Sequence, residues 1–231
     1  MQLPLPASAP RTIAVIGAGI VGTSCALHLQ RDGHSVTLID PKPPGTATSY
    51  GNAGGIVTGA VVPNSTPALR RDIPHMLFNR GSAVRLRWRY LPQLSPWLIR
   101  FLLAGRDARV REISAALQPL VSRAYDAHRE LITLSGADGI VRPVGWFKVY
   151  ATEAGFAGTE YDRALLREHG VKIDILNADE IRQLEPALAP GFVRGILQPD
   201  SAFVSLPGKL TTAHAAQFQR MGGTIVAERV R

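Results

Sequence analysis

The hexapeptide Gly17-Ala18-Gly19-Ile20-Val21-Gly22 constrains the fold of this chain more tightly than any other stretch. It follows a β-branched and apolar run, Thr12 to Ile16, and opens a segment, Ala18 to Arg31, whose apolar and small residues suit a packed helix. A strand that turns directly into a helix needs a tight reversal, which Gly17 permits, and close helix–strand packing, which Gly22 permits. Gly19 lets an anionic ligand approach the backbone where the helix N-terminus offers N–H groups and partial positive charge. Gly33 stands where a C-terminal glycine cap belongs, "SVTLID" at 35–40 supplies a second strand, and Asp40 ends it. Together these predict a β-α-β unit that binds a dinucleotide, with the Asp40 carboxylate placed for ribose hydroxyls. NAD and FAD share the same ADP half, so the fingerprint leaves both open. The acid opposes NADP, whose 2′-phosphate it would repel.

Downstream of Asp40 the chain changes character. Pro and Gly crowd "PKPPG", and "TSYGNAGG" at 48–55 follows with no charge at all. A proline-punctuated region runs on to about Arg111. Three- and four-residue apolar spacing then predicts a helix over 112–134, kinked at Pro119. "GWFKVYAT" at 145–152 alternates like a strand. Its sheet could turn either Trp146, Lys148 and Tyr150 or Phe147 and Val149 toward a ligand. Further expectations are a helix over 153–169, a strand over 171–176, and a short helix entered by a capping box of Asn177 and Glu180. A strand over 191–198 follows, then a helix capped by Ser205 with Pro207 at its first position, and a last strand over 222–230.

Charge distribution excludes one class of partner. The net charge of +8 resides between Arg70 and Arg111, where ten arginines stand against Asp72 and Asp107. The rest of the chain is neutral, and no nucleic-acid fold signature accompanies the basic segment, so nucleic acid is not expected as a partner. The same segment carries Trp88, Tyr90, Trp97, Leu98, Ile99, Phe101, Leu102 and Leu103. Two readings stand: a peripheral contact with an anionic membrane face, or helices packed on the protein with solvated arginines. No apolar run approaches the ~20 residues of a spanning helix. A single cysteine, Cys25, precludes an internal disulfide and points to a reducing, cytoplasmic setting. The first eleven residues lack the charge and apolar core of a secretory signal and read as a disordered lead-in. The six histidines show no metal-ligand spacing, and there is no G-x-S-x-G.

"IAVIGAGIVGTSCALHLQRDGHSVTLID" followed by "TSYGNAGGIVTG" resembles the bacterial FAD-dependent D-amino-acid dehydrogenases, within the wider family of D-amino-acid, glycine and sarcosine oxidases. The likeness continues through "RYLPQLSPWLIRFL", "IRQLEPAL" and "GILQPDSAFVSLPGKLTTAHAAQF". It implies an α/β fold: a Rossmann-like FAD-binding domain, with an incomplete parallel sheet, over 12–80 and 205–231. An α+β substrate domain would take 81–204. By resemblance, Ser49, Asn52, Ala53, Gly54 and Gly55 line the flavin, and the backbone of Val230 meets its adenine. Uncharged, glycine-rich backbone suits close approach to a flat ring whose redox potential a fixed charge would alter.

The implied reaction is oxidative deamination of a D-amino acid, a small-molecule substrate, hydride passing from Cα to FAD and the imino acid hydrolysing to a 2-oxo acid and ammonia. Family members are substantially longer, and the expected carboxylate-binding arginine belongs to the half that has no counterpart here, so no catalytic residue is assigned. The chain is therefore expected to be an N-terminal portion, truncated or completed by a second polypeptide. The alternatives are a partner-dependent FAD-binding subunit of the glycine or sarcosine oxidase type, and an NAD-dependent dehydrogenase, which the 48–55 loop opposes.

Overall fold

The computed structural model describes residues 9–69 and 87–230. The start of the lead-in, Arg70, Arg71, Arg80 and Arg85, and the boundary expected at residue 80 lie outside them. Strand β1 (Thr12–Ile16) runs into Gly17, which takes the left-handed φ of +103° that a side chain would resist. Helix α1 (Ile20–Arg31) follows, two residues shorter at its start than the spacing suggests, and strand β2 (Ser35–Ile39) lies parallel to β1 with Thr12 opposite Ser35. At the far end of the chain, helix α8 (Pro207–Arg220) leads into strand β9 (Thr224–Val226), which pairs in parallel with the other edge of β2. The result is a three-stranded parallel sheet in the order β1-β2-β9.

One face of this sheet makes the core. Ala26 and Leu27 of α1, Val36 and Leu38 of β2, Leu131 and Phe218 pack in one cluster with Ala18. Each large apolar side chain there contributes about 1.5–3 kcal/mol by leaving water. The Nε2 amide of Gln30 donates to the Met221 carbonyl at 2.8 Å and fastens the end of α1 to the end of α8. The opposite face is open among the described residues: Thr12, Ala14 and Ile16 are exposed. β1 therefore alternates, where its sequence suggests a strand buried on both faces. The last strand is also shorter than expected, ending at Val226.

This first unit takes in residues up to Ile56, Tyr125–Val144 and those from Ala202 onward. Helix α4 (Ala124–Ser135) belongs to it because Leu131 enters the core and the Ser135 hydroxyl meets Nδ1 of His214 at 2.9 Å. A small antiparallel sheet joins its three chain segments, in the order β3 (Gly55–Ile56), β8 (Ala202–Val204), β4 (Val141–Arg142). The compact units divide the chain otherwise than the sequence suggests: 57–69 falls in the second unit, and 125–144 and 202–204 fall in the first. Strands of two or three residues have no readable period, which is why these junctions escape sequence patterns. Ser205 is a correction. Its hydroxyl donates to the Ile140 carbonyl at 3.0 Å, and Leu206, with no side-chain cap, precedes Pro207 at the start of α8.

The second unit comprises Val57–Ala124 and Gly145–Ser201. Its antiparallel sheet runs β5 (Trp146–Tyr150), β7 (Arg194–Gln198), β6 (Asp174–Asn177). The Phe147 ring fills the space over Gly195 beside Ile181, so Phe147 faces helix α7 (Ala178–Leu184). Trp146, Lys148 and Tyr150 take the other face, where Tyr150 meets Phe156 edge-on. The expected 153–169 helix is two, α5 (Glu153–Ala157) and α6 (Glu160–Glu168). The expected 112–134 helix is likewise α3 (Asp107–Val121) and α4, broken at Ser122–Arg123 and not at Pro119.

In the proline-rich stretch, where the sequence suggests helices without bounds, helix α2 spans Leu91–Ala104. Pro92 sits in its first turn, where a missing N–H costs nothing, and the Pro92 carbonyl that Pro96 cannot bond accepts from the Ser95 hydroxyl at 3.0 Å. Among the described residues, no helix is long and apolar enough to cross a membrane.

Candidate functional site

The candidate site forms where β1 hands over to α1. Gly17 N–H donates to the Ile39 carbonyl at 2.8 Å, and Ala18 N–H donates to Oδ2 of Asp40 at 2.8 Å. The other Asp40 oxygen accepts from Lys42 N–H at 2.8 Å. Asp40 thus braces the glycine turn from the end of β2, and each oxygen keeps a lone pair for a further donor. A Cβ at Gly22 would overlap the Gly17 carbonyl oxygen, so the turn and the helix can approach only because residue 22 is glycine. At Gly19 a Cβ would stand 3.2 Å from the Ser49 hydroxyl, so the 48–55 loop closes on the helix start over a residue without a side chain.

Ser49 enters from the 48–55 loop. It is buried, and its hydroxyl accepts from Ile20 N–H at 2.9 Å, capping a helix whose own N-cap, Gly19, has no side chain. The first turn of α1 holds no acidic residue of its own, and the carboxylate nearest its start is that of Asp40, bonded to Ala18 N–H. Among the described residues, no protein acceptor meets the N–H groups of Gly19, Val21 or Gly22.

The loop's glycines have reasons of their own. Gly51 and Gly54 adopt φ of +66° and +65°, and a Cβ at Gly54 would collide with the Val204 carbonyl oxygen in β8. The Asn52 side chain accepts from Gly54 N–H at 2.8 Å, a local turn that substitutes for backbone pairing. A tight loop docked on β8 therefore requires glycine whatever binds beside it.

Ile20, Ser49, Asn52, Gly54 and Gly55 come together around a cleft of about 230 Å³. Val204, with Pro207, Leu210 and Thr211 of α8, and His128 of α4 line it as well. A second cleft of about 250 Å³, lined by Val21, Ser24, Cys25 and His28 of α1, adjoins it at Ile20 and His128. Of the residues expected from sequence, Gly17, Ala18, Gly19, Gly22 and Asp40 build the turn beneath these clefts. Ala53 is exposed at the loop tip, and Val230 is exposed beyond β9, with no hydrogen bond to the turn among the described residues. Sequence reasoning missed His128, Val204, Leu210 and Thr211 as site residues. Leu210 and Thr211 lie one turn along α8 from Pro207, so their shared face was legible, but the segment it would meet was not.

A left-handed glycine turn between parallel strands, an acid-free helix start above it and a carboxylate at the end of the next strand define a dinucleotide-binding unit of the Rossmann type. The family model described as FAD dependent oxidoreductase (DAO) matches residues 12–231, and the chain belongs to that family. A D-amino-acid oxidase of Bradyrhizobium diazoefficiens is 36% identical over 94% of this chain and 52% of its own length. A protein of Mesorhizobium japonicum named D-amino acid dehydrogenase 2 is 32% identical over 77% of this chain and 43% of its own. The chain thus spans about half the length of the curated relatives it matches.

Among solved structures, glycine oxidase from Geobacillus kaustophilus superposes with a TM-score of 0.58 at 19% identity, over 94% of this chain and 47% of that one. L-Amino acid deaminase from Proteus myxofaciens gives 0.60 at 16% identity, over 97% and 39%. At such identities the likeness is one of fold, an α/β FAD-binding fold. The family is FAD-dependent, and the residues present fit that cofactor: the side-chain-free approach at Gly19, the unpaired N–H groups and the uncharged 48–55 loop all favour a large anionic dinucleotide.

Proposed function

We propose that this chain holds FAD for the oxidative deamination of a D-amino acid to a 2-oxo acid and ammonia. The observation that carries the reading is the convergence of Ile20, Ser49, Asn52, Gly54 and Gly55 on one cleft at the first turn of α1. When bound, FAD supplies the acceptor for the two electrons lost from the Cα–N bond. The N–H groups at the start of α1 would hold its phosphates, and Asp40 its ribose hydroxyls. Ser49, Asn52, Ala53, Gly54 and Gly55 would line the rest, with the Val230 backbone at the adenine. The second unit is the part of the chain we assign to substrate. Relatives named for D-amino acids favour that substrate class over glycine, and dehydrogenase chemistry would pass the electrons to an acceptor other than oxygen. No catalytic residue is assigned.

Purified protein mixed with FAD should bind it stoichiometrically, with the absorption of an oxidised flavin that bleaches when a D-amino acid is added without oxygen. A colourless protein that takes up no FAD overturns the first claim. Bleaching by glycine or L-amino acids alone overturns the second.

A partner-dependent FAD-binding subunit is the second reading, favoured by the open face and unpaired outer edge of β1 among the described residues. It requires FAD binding or turnover to appear only with a second polypeptide.

A peripheral contact with an anionic inner membrane face rests on α2. That helix has no buried residue and no acidic side chain, its Trp97, Ile99 and Leu103 are exposed, and Arg87, Arg89, Arg100 and Arg106 flank or punctuate it. Liposome co-sedimentation should rise with anionic lipid and fall with salt. Binding indifferent to both rejects the contact.

A further inference from the structure

Helix α4 lines both clefts through His128. Leu131 carries it into the core, the exposed pair Arg31–Glu130 joins it to α1 at 3.4 Å, and Ser135 meets the fully buried His214 of α8. The chain leaves regular helix on either side of it, at Ser122–Arg123 before and at Gly136, with φ of +69°, after. A helix bounded in this way can move as one piece.

The bond inside has a defined polarity. The Ser135 hydroxyl donates to the Ile132 carbonyl at 3.1 Å, so toward His214 it accepts, and Nδ1 of His214 carries the hydrogen. Nε2 is then the lone-pair nitrogen, and it is buried with no hydrogen-bond partner among the described residues. A second proton would have to be added there, inside the core and without an acceptor. The surroundings offer no relief. His128 of α4 and His28 of α1 both oppose a positive charge at His214. Arg31 of α1, Asp126, Arg129 and Glu130 of α4, and Asp138 beyond it are exposed, and among the described residues none of them bonds to His214. Burial, then His128 and His28, hold the pKa of His214 at about 4 against the ordinary 6.5.

His214 therefore takes up a proton readily only when α4 has left α8. We propose that the Ser135–His214 bond is an acid-released latch, holding α4 against the clefts at neutral pH and freeing it, with the parallel sheet still folded, as the pH falls. The contribution of His214 to docking is full above pH 6.5 and is lost as the pH falls toward 4. That the latched cleft holds FAD rests on the reading above, and the latch itself is independent of it.

Amide hydrogen exchange at increasing denaturant reads the latch. Amides of α4 should exchange through an opening that is easier, and less dependent on denaturant, than that of β2 at the centre of the sheet. Between pH 7.5 and 5 the protection of α4 should fall at least about thirtyfold, the ratio given by a pKa of 6.5 in the open form and about 4 in the docked form. His128, whose pKa burial also lowers, adds to that fall. His214→Gln keeps a donor for Ser135 but takes up no proton, and should remove most of it. Ser135→Ala leaves Nδ1–H unpaired and should lower α4 protection about tenfold at pH 7.5. FAD at about ten times its dissociation constant should raise α4 protection about tenfold, because it binds the docked form.

One common exchange rate and denaturant dependence for α4 and β2, or a pH response undiminished in His214→Gln, overturns the latch. Should His214→Gln fail to fold, Ser135→Ala carries the test, and parent-like α4 protection in that variant overturns the latch as well. FAD that binds without slowing α4 exchange overturns its link to the cleft. A protein that binds no FAD overturns the FAD reading, while the pH series and Ser135→Ala still decide the latch.

Discussion

Helix α1 in the first unit and helix α7 in the second are both capped by a side-chain oxygen, and the two caps come from opposite ends of the range of sequence separation. Asn177 caps α7 locally: its side chain accepts from Asp179 N–H at 2.9 Å and Glu180 N–H at 3.0 Å, while Glu180 returns a bond to Asn177 N–H at 2.7 Å. Ser49 caps α1 from a different loop. The second unit combines local devices, as in Arg163 with Glu160, Thr159 and the Phe156 ring, with distant ones: Asp107 accepts from the Tyr161 hydroxyl at 2.9 Å, and Arg111 pairs with Glu168. The first is held by close approaches between distant segments, several of which only glycine allows. Local devices tolerate single losses, whereas a steric approach does not.

The largest effect expected from that contrast is at Gly22. Gly22→Ala drives a methyl group into the Gly17 carbonyl and should cost about 3 kcal/mol or more, and abolish FAD binding. In the second unit, Gly158 closes α5 with an ordinary φ of −59°. A Cβ there would meet nothing closer than 3.5 Å, so Gly158→Ala should be neutral or stabilise by up to about 1 kcal/mol. Chemical denaturation of the two variants measures both, and equal losses would break the comparison.

Acid should also separate the units. His214 is fully buried, and burial followed by the nearby His128 and His28 depresses its pKa to about 4 from 6.5. The unfolded chain binds this proton more readily. His214 therefore contributes stability that is present above pH 6.5 and is lost as the pH falls toward 4, on the order of 3 kcal/mol. Asp162 in the second unit has the opposite sign: burial raises its pKa, so its contribution is full below pH 3.8 and is lost as the pH rises through the elevated value. Denaturation midpoints followed between pH 7 and 4 should fall for the first unit's transition, and His214→Gln should flatten that slope.

Smaller again are the caps. Asn177→Ala and Ser49→Ala should each cost about 1 kcal/mol, but only Ser49→Ala should also weaken FAD binding, because it reshapes the cleft. The exposed pair Arg109–Glu112, at 2.6 Å, belongs at the bottom: Arg109→Ala should change stability by less than about 0.5 kcal/mol.

The same contrast explains what could be read from sequence. The capping box at Asn177 was legible because both partners lie within one turn. The turn at Gly17–Gly22 was legible because strand, glycines, helix and Asp40 follow in order. Ser49 was expected at the site through a family likeness, but its bond to Ile20 was invisible, since nothing in a sequence sets the distance between separate loops. His128 read as one apolar-face position among several on a helix. Its place at the junction of two clefts depends on α4 packing beside α1. The short strands β3, β4 and β8 lack enough residues to alternate. The bounds of helix α2 were hidden by Pro92 and Pro96, each of which is accommodated by a specific local arrangement.

The bracing of the glycine turn by Asp40 bears on how fast and how tightly a ligand can be captured. With Gly17 and Ala18 already fastened to the end of β2, and Ile20 to Ser49, the backbone that would receive phosphates is fixed before any encounter. Binding there orders little further chain, so the entropy of arranging the loop falls on folding and not on association.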